Sequence, residues 1–144
     1  MSLKRFEEFL ESGAVKKQAP NKQRALSIIE EIEGKKRFLE TSLAAIPQEE
    51  MNANFIVDTC YDIMIELIRA KMLLDGFNAG PSHEAEVSYM DRLGFTQAEM
   101  RIMDEIRYYR NGTKYYGTIL TKQYAEKTLR FMKKIYPVLK KLLS

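Results

Sequence analysis

The chain has 144 residues, 45% of them hydrophobic and 30% charged, with one cysteine and a formal net charge of +3. This size and balance fit a single soluble domain with its own core, and they exclude a disordered, collagen-like or disulfide-stapled chain. A net charge this small does not by itself imply nucleic-acid binding.

Leu3, Phe6 and Leu10, spaced by three and four among Glu7, Glu8 and Glu11, predict a short amphipathic helix within residues 2–17, stopped near Gly13. Residues 1–18 read as a loosely docked arm on a domain of residues 1–144. Pro20 suits a first helical turn, and Ala25, Ile28, Ile29, Ile32, Leu39 and Leu43 continue with helical spacing to Pro47. The charged residues from Glu30 to Arg37 form its solvated face.

From about Glu49 to Phe77 the chain is most apolar. Ile56, Cys60, Ile63, Met64, Leu67, Ala70 and Leu74 form one stripe, and Val57, Tyr61, Ile65, Ile68 and Leu73 a second. Two apolar stripes predict a central helix covered on both sides, with Cys60 as a buried thiol. Asp62 and Glu66 could serve as a metal or acid–base pair, or as surface acids beside Arg69.

Gly76, Asn78, Gly80 and Pro81 predict a turn, and Ser82 a helix cap followed by Glu84 and Glu86. The inner face of that helix is Val87, Met90 and Leu93, and Gly94 ends it. Thr96 and Glu99 have the spacing of a capping box, opening a helix with Met100, Ile102, Met103 and Ile106 inward. The last helix carries Ala125, Thr128, Leu129, Met132, Ile135, Leu139 and Leu142 on one side, with Pro137 expected to kink it. Between Lys122 and Lys141, six lysines and Arg130 face a single acid, Glu126. No run alternates with period two, so the expected fold is all-α: an antiparallel up-down bundle of four main helices with additional short ones. No apolar run approaches the roughly 18–20 residues that span a bilayer, and no signal peptide is visible, which predicts a cytoplasmic protein.

The stretch from Arg107 to Gly117 stands apart, with Arg107, Arg110 and Lys114 among Tyr108, Tyr109, Tyr115 and Tyr116. On a helix the three cations fall within about 60° of one another and form a ridge that an anionic phosphate would relieve. Glu99, Asp104 and Glu105 are the alternative counter-charges. The tyrosines suit stacking on unpaired bases, and equally a core or dimer surface. Asn111-Gly112 is expected to break the helix, because Arg110 and Tyr115 point about 140° apart on an unbroken one. The sole histidine, His83, is expected at a helix start as a local hydrogen-bonding group, with a role beside Arg110 as the alternative. No Walker loop, dinucleotide fingerprint or metal-ligand cluster occurs, and no cofactor is expected.

Arg110-Asn111, three residues, then Tyr115 resembles the Arg-polar-x3-His motif of the HEPN domains (higher eukaryotes and prokaryotes nucleotide-binding). The Ala70–Phe77 helix end, Pro81-Ser82-His83 and the Arg-Asn…Tyr-Tyr-Gly element extend the likeness over about residues 50–140, toward small archaeal and bacterial members. The resemblance implies a helical bundle, frequently a homodimer with a shared cleft, and metal-independent endoribonuclease activity in many members. Several act as toxins beside a nucleotidyltransferase-like antitoxin, and others are binding or assembly modules. By this likeness Arg110, Asn111 and Tyr115 occupy the catalytic positions, and Arg107, Arg110 and Lys114 would hold RNA or nucleotide phosphate. Tyr115 replaces the family's histidine, and a phenol with pKa near 10 is a poor base at neutrality. The expected function is therefore RNA or nucleotide binding with weak or no cleavage; the alternative is a non-catalytic structural or regulatory module.

Overall fold

The computed structural model describes residues 3–144, so Met1 and Ser2, the first two positions of the expected arm, lie outside it. The chain is helical almost throughout: α1 (Phe6–Ser12), α2 (Lys22–Ala45), α3 (Ala53–Asp75), α4 (His83–Ser88), α5 (Gln97–Tyr115) and α6 (Lys122–Leu142), with single 3-10 turns at Gln48–Glu50 and Tyr89–Asp91.

The five helices after α1 begin where side chains satisfy their first free N–H groups. Asn21, Asn52, Ser82, Thr96 and Thr121 each accept a bond from the backbone N–H three residues on, and Thr96 and Glu99 close a reciprocal capping box. Pro20 thus precedes α2, which starts at the Asn21 cap; an asparagine oxygen satisfies an N–H where proline only fixes φ. The helix expected from Ser82 toward Gly94 tightens into a 3-10 turn after Ser88, because the N–H groups of Arg92 and Leu93 bond only three residues back. α6 continues through Pro137 as one element.

α3 is the hub, packed by α2, α6, α5 and α4. Both of its apolar stripes are sealed: Ile56, Cys60, Ile63, Met64 and Leu67 on one, Val57, Tyr61, Ile65, Ile68 and Leu73 on the other. Burial pushes the Cys60 thiol up to about 12, so it stays protonated and inert.

The N-terminal segment is no loose arm. Phe6, Phe9 and Val15 are core residues, and the Phe6 ring meets Phe77 and Tyr89 edge-on, with the Arg92 guanidinium over its face. Behind α1 the chain forms a short antiparallel pairing, β1 (Lys16–Lys17) with β2 (Phe77–Asn78), which period-two reasoning did not anticipate because two residues carry no alternation. Gln18 N–H then donates to the Gly76 carbonyl and Asn21 N–H to that of Leu73. Gly76, at φ 87°, has the Gln18 carbonyl oxygen 2.8 Å from where a Cβ would stand.

Candidate functional site

α5 does not break at Asn111-Gly112; it runs on to Tyr115. Gly112 serves a different purpose. The returning chain packs against it, Thr118 N–H donates to its carbonyl, and a Cβ would lie 2.8 Å from Thr118 Oγ1. The reversal is made at Gly117, with φ 68°, and the loop is tied down by Asn54 of α3, whose amide donates to the Thr118 carbonyl and accepts from Leu120 N–H, both at 2.8 Å. Thr113 Oγ1, 2.8 Å from Asp58 Oδ1, fastens the same turn to α3.

Pro81, Ser82, His83 and Glu84 at the start of α4 face Arg107, Arg110, Asn111 and Tyr115 of α5 across a recess of about 350 Å³. Arg107, Asn111 and Tyr115 succeed one another at four-residue steps along one helix face, so Tyr115 borders the recess on an unbroken helix and the side-chain lengths of Tyr115 and Arg110 span the angle between them. Lys114 is exposed and does not line it. The structure therefore brings together four of the five residues singled out on α5 and leaves the fifth outside.

Arg110 is buried to 8% exposure, unusual for an arginine. Its Nη2 makes one long contact, 3.4 Å, to Asp62 Oδ1, its guanidinium lies 5.4 Å from the centre of the Tyr61 ring, and its buried Nε has no partner. Arg107 Nε donates to Asp104 Oδ1 at 2.8 Å, one of the counter-charges foreseen. Glu99 and Glu105 turn instead to Lys134 and Lys127 of α6.

His83 is the residue that sequence reasoning underweighted. Its Nδ1 lies 3.0 Å from the hydroxyl of Tyr61, and the two rings stack with centroids 5.8 Å apart. Burial first, then the Arg69 and Arg110 guanidiniums, hold its pKa below the ordinary histidine value, with Asp62 pulling weakly the other way. The neutral ring is therefore the prevailing form at pH 7. No local signal pointed to it, because the contact joins α4 to α3 across twenty-two positions of sequence.

Asp62 and Glu66 do not act together: Asp62 faces Arg110, whereas Glu66 sits 3.6 Å from Lys35 and 4.0 Å from Arg69. Among the described residues no group of three or more His, Cys, Asp or Glu side chains is placed to hold a metal ion. Behind the recess, Arg69 makes a bidentate pair with Glu86, at 2.6 and 3.0 Å, and Glu86 is 1% exposed. Burial pushes the Glu86 carboxyl up, and Arg69 pulls it back only in part.

Tyr108, Tyr115 and Tyr116 are largely exposed and Tyr109 partly so, the last packing edge-on against Tyr124. None of the four belongs to the core. No helix among the described residues is long and apolar enough to cross a membrane. No protein-family model matches the chain, and neither does any curated protein or solved structure.

Proposed function

We propose that this is a HEPN-like protein that binds RNA or a nucleotide by seating a phosphate in the recess between α4 and α5. The observation that carries the reading is Arg110: a fixed, nearly buried cation with one long ion pair and donors to spare, beside Arg107 and Asn111. A guanidinium held this way presents its planar fork at little further entropic cost, which suits phosphate recognition. The exposed tyrosines on α5 suit base stacking or the cleft of a homodimer.

Cleavage without metal needs a base at the 2′-hydroxyl, and Tyr115, a phenol 67% exposed at the helix end, is ill suited to it. The proposal is accordingly binding with weak or no endoribonuclease activity. The short connections from α2 to α3 and from α5 to α6 support an antiparallel arrangement of the four long helices, with α3 as the hub. A nucleotidyltransferase-like protein, as in toxin–antitoxin pairs, is the partner proposed on the same likeness.

A second reading, a structural or regulatory module, is favoured by the Arg107–Asp104 and Arg110–Asp62 contacts, which give both cations an internal acid. Fluorescence anisotropy with labelled single-stranded RNA across a salt series separates the two. Binding that weakens linearly in log salt and is lost in Arg110→Ala supports the phosphate site. No salt-dependent binding to any RNA or nucleotide leaves the structural reading. Incubating RNA in EDTA and probing for 2′,3′-cyclic phosphate ends measures any residual cleavage.

A further inference from the structure

Tyr61 is sealed from solvent, at 0% exposure, and the only hydrogen-bond partner of its hydroxyl among the described residues is His83 Nδ1. A buried phenol has one proton to donate. If Nδ1 carried a hydrogen and donated it to the phenol, the phenolic proton would be left in the core without an acceptor, an arrangement native interiors avoid. The lower-energy arrangement has Tyr61 donating to a bare Nδ1. Burial pushes the Tyr61 phenol further above its ordinary range, so that proton stays in place.

Neutral imidazole carries one N–H, and with Nδ1 accepting it must sit on Nε2. Nε2 has no protein partner among the described residues, and His83 lines the recess. The charged groups facing the ring are Arg69 and Asp62 from α3 and Arg107 and Arg110 from α5, three cations against one acid. We infer that Tyr61 holds His83 as the Nε2–H tautomer, so that the imidazole joins Arg107, Arg110 and Asn111 as a hydrogen-bond donor to an anionic phosphoryl oxygen and not as a base. This deepens the phosphate reading above and rests on it. His83, Arg107, Arg110 and Asn111 then all face the recess as donors, with Glu84 the one carboxylate in its lining, which fits a receptor that holds a phosphoryl group without His83 acting as a base.

His83 is the chain's one histidine, so long-range proton–nitrogen spectra of the labelled protein report a single imidazole. The expected spectrum shows a protonated Nε2 and a bare, hydrogen-bonded Nδ1, with the Nε2 signal moving on titration with inorganic phosphate or a short single-stranded RNA. Tyr61→Phe, which keeps the core volume, should release the ring into a mixture of tautomers. His83→Ala should weaken phosphate binding about tenfold, and His83→Gln, which returns an N–H donor, should recover most of it. A base would not be rescued this way. A proton on Nδ1 in the native protein, or a Tyr61→Phe spectrum identical to it, overturns the inference. If Nε2–H is found but neither phosphate nor RNA moves it, the phosphate reading falls and the donor role with it, while the tautomer assignment stands.

Discussion

Replacing Arg110 by methionine separates a binding residue from a structural one. Methionine retains much of the apolar stem and its contacts. Three terms decide the stability change. The 3.4 Å contact to Asp62, whose side chain remains 31% exposed, contributes about 1 kcal/mol at most. The cation over the Tyr61 ring adds about 0.5–1 kcal/mol. Against these, the substitution removes a buried Nε without a partner, whose desolvation costs about 1–3 kcal/mol. The terms nearly cancel, so urea denaturation followed by circular dichroism should place Arg110→Met within about 1 kcal/mol of the native protein. Ligand binding should suffer far more: charge-assisted bonds of about 1.5–3 kcal/mol correspond to a loss of roughly 10- to 150-fold in affinity. A destabilisation above about 3 kcal/mol would refute this reasoning and make Arg110 a structural post. At about 2.1 cal/mol/K per residue of unfolding entropy, that is a fall of about 10 °C in Tm.

Glu86→Ala leaves the Arg69 guanidinium without its bidentate partner and should cost about 3 kcal/mol, with Arg69→Met added to it recovering most of the loss; chemical denaturation of the single and double variants measures both. Gly76→Ala places a Cβ in left-handed backbone 2.8 Å from the Gln18 carbonyl oxygen, and a drop of about 2–4 kcal/mol is expected in thermal unfolding. Because the folded pKa of His83 lies below its unfolded value of 6.5, the unfolded chain takes up the proton first as pH falls. The contribution of His83 to stability is complete above about pH 6.5 and is lost as pH falls from there toward the folded value, and the difference between the pH profiles of the native protein and His83→Gln isolates it.

The helical framework was legible because its signals are local. Ser82, Thr96 and Glu99 cap where their spacing says, and the double stripe of α3 announces a helix buried on both sides. The site was legible only in part, for reasons visible in three residues. Gly112 carries the signature of a helix end, yet its smallness answers to Thr118, which approaches from the next turn of chain. Glu86 looks like an acid placed to favour a helix start, and only the packing of α4 on α3 turns it inward to Arg69. The partnership of His83 with Tyr61 spans two helices whose relative register no periodicity encodes.

The pairing of Lys16 and Lys17 with Phe77 and Asn78 also bears on the order of assembly. Lys16 and Lys17 find their hydrogen-bond partners about sixty positions later, after α2 and α3 have been laid down. α1 is too short to persist by itself in water, and Phe6 has no aromatic neighbours until the turn behind α3 has closed. On the ribosome, α1 and β1 emerge before the residues they pack on and can dock only after α3 and the turn behind it exist, closing over Phe77 and Tyr89 as a late latch.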